Sequence, residues 1–182
     1  MKRTVLLLAM ILGALLSAQQ TATVEKSITG LQIGFFGAEV YNEARLSDQV
    51  SLRSQLSFLP SIWGGDFYSK TGFAVAPAIS VAPKYYYNLV KRVEKGKNIK
   101  NNAANYVGLA LRYSPDWFVI TNVDNLTVNP ALSLIPHYGF RRNFGGDFNY
   151  EFKAGIGIGT ILKKGYDLQV PFELSFKVGY DF

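Results

Sequence analysis

The chain contains no cysteine, which excludes a disulfide framework, a thiol nucleophile and a Cys-ligated zinc site. His137 is its single histidine, so no His/Cys metal cluster can form. Beyond the N-terminus no apolar run approaches the roughly 20 residues that a spanning helix needs. Charge of one sign is not concentrated either. The formal net charge is +6 over 182 residues and the basic residues are dispersed, whereas a nucleic-acid partner requires a basic face. What is present is 48% hydrophobic and 14% aromatic residues together with 17 glycines. That composition excludes a disordered chain and fits one ordered domain.

The N-terminus reads as a secretory leader. Lys2 and Arg3 precede an apolar stretch over 5–16, and Ser17-Ala18 supply small residues for cleavage before Gln19. The expected division is a signal peptide over 1–18 and a single outer-membrane β-barrel domain over 19–182. The apolar stretch is too short to be an anchor, and no cysteine follows it to carry a lipid. Removing Lys2 and Arg3 leaves 17 basic against 13 acidic residues.

The remainder alternates with period 2, the signature of half-exposed strands. In 147–161, Phe148, Tyr150, Phe152, Ala154, Ile156 and Ile158 oppose Asp147, Asn149, Glu151, Lys153, Gly155, Gly157 and Gly159. From 168 to 182, Leu168, Val170, Phe172, Leu174, Phe176, Val178, Tyr180 and Phe182 oppose Gln169, Glu173, Ser175, Lys177 and Asp181. The same alternation runs through 129–142, 106–113, 73–89 and 50–58, which makes six strands. Near the N-terminus the phase changes at Phe35-Phe36. Two strands over 24–35 and 36–46 bring the number to eight, in keeping with the even strand numbers of single-chain bacterial barrels.

The fold class expected is therefore all-β, an antiparallel up-and-down transmembrane β-barrel of eight strands behind a signal peptide. Connections over 46–49, 91–102 and 142–146 fall at one end; those over 60–71, 114–128 and 162–167 fall at the other. Short turns belong on the periplasmic side and longer loops outside. The bases of 91–102, namely Lys91, Arg92, Lys95, Lys97 and Lys100, read first as a solvated turn, with contact to anionic headgroups as the other reading.

Alternation does not say which face points inward, and a soluble lipocalin-type barrel would bury the apolar one. Two features favour lipid outside. The polar face mixes charges of both signs with Gly, Ala and Ser, as a narrow lumen requires. Aromatic residues gather near the strand ends, as an interfacial girdle requires. The lumen charge network then comprises Glu39, Arg53, Lys84, Arg112, His137, Arg141, Glu151, Lys153, Glu173 and Lys177, with Glu43 and Arg45 in the same phase. Arg112 and Arg141 are its expected anchors, holding carboxylates such as Glu151 or Glu173.

The segments Gly37-Ala38-Glu39-Val40-Tyr41 and Leu46-Ser47-Asp48-Gln49-Val50-Ser51-Leu52, with the ending Lys177-Val178-Gly179-Tyr180-Asp181-Phe182, resemble small outer-membrane β-barrel families of Bacteroidota. The architecture implied is an OmpA/OmpX-like eight-stranded barrel. By the same resemblance, Tyr180 and Phe182 form the aromatic-x-aromatic signal read by the barrel-assembly machinery, with Lys177 where a glycine is usual.

Catalytic signals are weak. Ser133 and His137 suggest acyl transfer, as in outer-membrane lipid A deacylases, but the His-x-Ser of those enzymes faces the membrane while His137 has an inward phase. Gly155-x-Gly157-x-Gly159 continues a strand and opens no helix, so it is no phosphate loop; thinning of the lumen face is its expected purpose. The reading is a non-enzymatic outer-membrane protein with a side-chain-filled polar lumen and a structural or surface-interaction role. It has no cofactor, metal or nucleic acid, and its partners are outer-membrane lipids and the assembly machinery. A narrow channel for small solutes or ions, an outer-membrane lipid-modifying enzyme and a soluble periplasmic binding barrel are the alternatives.

Overall fold

Period-2 segments form strands here, and each strand pairs antiparallel with its neighbours until the sheet closes on itself. The computed structural model describes residues 22–65 and 71–182. The expected leader over 1–18 and part of the loop over 60–71 lie outside them. The strands are β1 (Ser27–Gly34), β2 (Gly37–Ser47), β3 (Val50–Trp63), β4 (Gly72–Tyr85), β5 (Asn105–Ser114), β6 (Ile120–Thr121), β7 (Ala131–Asn143), β8 (Phe148–Ile156), β9 (Ile158–Ile161) and β10 (Phe172–Asp181). β9 continues β8 along β7, and β6 is a short addition to β4. Eight staves remain, and the pairing of β10 with β1 and of β3 with β4 completes a closed barrel. Closure gives each of the eight staves a neighbour on both sides.

Phe35 and Phe36 are the two-residue turn between β1 and β2, with Gly34 opposite Gly37. Two bulky aromatics make an unusual turn, and Gly37 supplies the left-handed φ of 108° that lets the chain reverse. Phe35 is 92% exposed, whereas Phe36 is about half exposed and lines the mouth of the barrel.

Four expectations need correction. The last strand starts at Phe172 and not at 168, because Pro171 has no N–H to give to the ladder; Pro171 and Gln169 still accept hydrogen bonds from Gly157 and Gly159. The strand expected to run to residue 89 stops at Tyr85. Gly155 and Gly157 do not make room for long side chains across the lumen. A Cβ at Gly155 would lie 2.4 Å from the Pro136 carbonyl oxygen, and one at Gly157 would lie 2.1 Å from that of Leu134. Their purpose is close approach to β7. Arg45 is exposed, near the end of β2 and just before the register shift between Arg45 and Ser47, beyond the filled part of the interior.

The segment over 91–102 is more than a solvated turn. It contains α1 (Leu89–Glu94) and a 3-10 turn at Lys100–Asn102. Leu89 and Ile99 pack with Val24, Tyr86, Ala104 and Tyr106 into a buried apolar cluster. That cluster caps the end of the barrel where the chain enters at Val24 and leaves at Phe182. The short 3-10 turn carries Asn101 and Asn102 at φ of 51° and 60°, a conformation that asparagine tolerates, and both amides reach inward. The lysines of the segment stay on the surface, where Lys100 donates to Asp147 at 2.8 Å, while Arg92 is half-buried. The hydrogen bond holds the Asp147 carboxyl below its ordinary range and the Lys100 ammonium above its own. Both side chains are about half exposed, so the pair adds little to stability.

Candidate functional site

The barrel is polar within and apolar without. Leu31 and Ile33 on β1, Val40 on β2, Ile79 and Val81 on β4, Val107, Leu109 and Leu111 on β5, Leu134 on β7, and Leu174, Phe176 and Val178 on β10 are all exposed. The residues between them are buried and mostly hydrophilic: Gln32, Glu39, Glu43, Arg53, Lys84, Arg141, Asn149, Glu151, Lys153, Lys177 and Asp181. A soluble barrel has the opposite arrangement.

Glu151 is the centre of the interior. Its position on β8 sets it opposite Arg141 of β7 and Lys177 of β10. One carboxylate oxygen accepts from Arg53 Nη1 at 3.1 Å and from Gln32 Nε2 at 3.1 Å. The other accepts from Lys84 Nζ at 3.1 Å and from the Tyr106 hydroxyl. Arg141 Nη1 lies 3.6 Å away. Three cations thus surround one carboxylate, and charge-assisted bonds of this kind are the stronger ones.

The other carboxylates extend the network along the barrel axis. Glu39 accepts from Arg53 Nη2 at 2.6 Å and from Lys177 Nζ. Glu43 accepts from Lys84 Nζ at 3.1 Å, Ser51 Oγ at 2.7 Å, the Tyr86 hydroxyl at 2.6 Å and Asn102 Nδ2 at 2.7 Å. Arg112 Nη2 donates to Glu173 at 2.7 Å, and Lys153 Nζ is 3.3 Å from the same carboxylate. The Arg53 guanidinium carbon also lies over the Tyr41 ring, 3.6 Å from its centroid, and Lys84 Nζ is 3.8 Å from that of Tyr106. Cation–π contact supplements the ion pairs where water is excluded.

Of the ten residues expected in the lumen, Glu39, Arg53, Lys84, Arg141, Glu151, Lys153 and Lys177 are buried together. Arg112 and Glu173 sit nearer the opposite mouth, partly exposed. His137 is buried but pairs with none of the carboxylates. Its Nδ1 is 3.1 Å from the Ile135 carbonyl and its ring packs edge-on to Tyr106. Gly108 is required beside it, since a Cβ there would be 2.6 Å from Nε2. Ser133 is not its hydrogen-bond partner, so these two residues do not form the nucleophile–base pair that their spacing suggested.

The chief partner of Arg141 is Asp181, at 2.5 and 2.7 Å, with the Tyr41 hydroxyl at 2.6 Å. Glu151 and Glu173, the carboxylates expected for Arg112 and Arg141, are indeed beside them, Glu173 at 2.7 Å from Arg112 and Glu151 at 3.6 Å from Arg141, but Asp181 is the closer partner of Arg141. Asp181 is in phase with Lys177 and Tyr41 with Glu39, and that phase was the available signal for both.

The interior leaves little free space. A void of about 10 Å³ between Arg53, Lys84, Arg112 and His137 is room for one water. Toward the loop end it meets a funnel of about 350 Å³ that ends on Glu39, Gln55, Glu173 and Lys177. At the other end the apolar cap closes the barrel. Among the described residues no three His, Cys, Asp or Glu side chains converge to hold a metal, and the interior carboxylates are each engaged by cations.

A closed eight-stranded antiparallel barrel with this interior is consistent with OmpA/OmpX-like architecture. Compared with protein-family models, with curated proteins and with solved structures, the chain matches none.

Proposed function

We propose that the protein is an integral outer-membrane β-barrel, exported with cleavage of its leader, non-enzymatic, with a structural or surface-interaction role. The observation that carries the reading is the apolar belt on all sides of a barrel whose buried residues are charged. In water such a belt would be a very large exposed apolar patch; in a bilayer it is the required surface. Aromatic rings ring the capped end on the outside, from Tyr85 and Tyr87 through Tyr138, Phe148 and Tyr180 to Phe182. Phe73, Trp117, Phe118 and Phe172 are exposed at the other, so the belt is bounded as a bilayer would bound it. No helix among the described residues is long and apolar enough to cross a membrane, so the crossing falls to the strands.

The charged interior follows from the same constraint. Lys or Arg facing lipid costs about 2–4 kcal/mol near the midplane, so charges go inside, where a barrel of eight strands is just wide enough for side chains to fill. Unpaired charges there would be expensive, and the paired network answers that need. The capped end, with the short turns at 48–49 and 144–147 and the packed segment over 86–104, faces the periplasm, and the loops over 115–130 and 162–171 face outward. A recess of about 580 Å³ lined by Trp117, Phe118, Leu126 and Leu162 is the place for surface contacts. Outer-membrane lipids and the barrel-assembly machinery are the partners, and kinship with small barrels of Bacteroidota rests on the segments that resemble them.

The experiment is fractionation followed by bilayer recording. The protein is expected in the membrane pellet, heat-modifiable on a cold-detergent gel, and without stable conductance at neutral pH. Soluble periplasmic protein would refute the membrane assignment, and reproducible single-channel conductance would refute the filled lumen in favour of a channel.

A further inference from the structure

At the capped end, a groove of about 430 Å³ opens between α1 with its flanking residues, the start of β5 at Asn105 and the end of β7 at Arg142. Lys91, Arg92, Lys95, Lys97 and Arg142 line it, and no carboxylate does. Glu94, on the same helix, is not part of the lining. The contrast with the interior is sharp. Each arginine inside the barrel meets a carboxylate, whereas these two are held by neutral acceptors. Arg142 donates to the Arg141 carbonyl at 2.7 Å and to Asn105 Oδ1 at 2.6 Å. Arg92 donates to the Asn98 carbonyl at 2.7 Å, and its Nε, shielded from solvent, has no hydrogen-bond partner among the described residues.

Five cations without a counter-charge in one concave site repel one another, and an anion there relieves the repulsion. The groove is also ready-made. Asn88 Oδ1 accepts the Asn105 backbone N–H at 2.8 Å, and Asn105 Nδ2 donates to the Tyr87 hydroxyl at 3.2 Å. Tyr87 belongs to the outer aromatic ring, so the groove opens at the level where that ring would meet headgroups. Guanidinium groups suit phosphate oxygens, which they bind with paired donors.

We infer that this groove binds the headgroup phosphate of an anionic glycerophospholipid in the leaflet at the capped end of the barrel, an inference that rests on the membrane reading above. The two arginines grip the phosphate and the three lysines on and beside α1 supply the surrounding positive field. The lipid bridges α1 to the barrel wall and holds the cap in place.

The test is native mass spectrometry of the full protein released from micelles holding equimolar phosphatidylglycerol and phosphatidylcholine. Wild type is expected to retain phosphatidylglycerol preferentially. Arg92→Gln with Arg142→Gln should weaken that preference roughly 30-fold, at about 1 kcal/mol for each of the two basic residues at an anionic surface. Lys91→Gln, Lys95→Gln and Lys97→Gln together, all on the surface, should weaken it without touching the fold, which a cold-detergent gel checks. Lys163→Gln with Lys164→Gln, at the other end, should change nothing. A heat-modifiable barrel without preference for phosphatidylglycerol would overturn the lipid site and leave the membrane reading standing. Displacement of the lipid by inorganic phosphate alone would overturn the lipid in favour of a free-phosphate site. Protein that never enters the membrane pellet would bring down the underlying reading itself.

Discussion

Glu151→Ala is expected to destabilise the refolded barrel by about 3–5 kcal/mol, the range for removing one partner of a buried ion pair. Glu151 is fully buried and faces Arg53, Lys84 and Arg141 at once. Its removal leaves three cations with less compensation and orphans the Tyr106 hydroxyl. Glu39, Glu43 and Asp181 still attract the same cations, so the effect should not exceed that of a single buried carboxylate. Glu151→Gln separates charge from shape, since it keeps an acceptor for Tyr106 but not the charge. It should cost less than the alanine variant but remain well below wild type. Urea unfolding of the protein in lipid, followed by the heat-modifiable gel shift, reads both. Wild-type midpoints in both variants would mean that the network is hydrated and not the support of the barrel.

Leu109→Arg is the second large effect. Leu109 lies near the middle of β5 and points outward, opposite Pro136 of β7. In a bilayer the guanidinium would sit in hydrocarbon, at about 2–4 kcal/mol. In a soluble barrel the same change on a half-exposed residue would stay within about 0.5 kcal/mol. Leu109→Ala controls for lost apolar surface, and should be milder than arginine. Folding yield into vesicles and urea midpoints measure the difference. Equal behaviour of the arginine and alanine variants would count against lipid at this face.

How much of this was legible in the sequence depends on the range of the interaction. Period 2 is local, so the alternation in 147–161 and 106–113 pointed to strands, and a phase change at Phe35-Phe36 was enough to place the first hairpin. Inward position also follows from phase, which is why Glu39, Arg53 and Lys177 could be grouped. Pairing does not follow. Arg141 meets Asp181 across β8, which lies between their two strands; the registers set Arg141 level with Glu151 and Lys177, so Asp181 is reached four residues further along β10, which no local pattern foretells. The cap was missed for a different reason. α1 has only six residues, too few to display a helical period, and its burial depends on contact with Val24, far away in the chain. The groove with Arg142 is hidden in the same way, since Arg142 follows the inward Arg141 and reads simply as an outward residue at a strand end.

The central claim is that the outer face of the barrel meets lipid, and spin labelling tests it most directly. The chain has no cysteine, so a cysteine placed at Leu109, Leu134 or Phe176, all outward and exposed, carries the only label. In the protein reconstituted into vesicles, collision with oxygen, which concentrates in hydrocarbon, should exceed collision with a water-soluble nickel chelate at all three positions. Dominant collision with the nickel chelate at these positions would place them in water and contradict a membrane-spanning barrel.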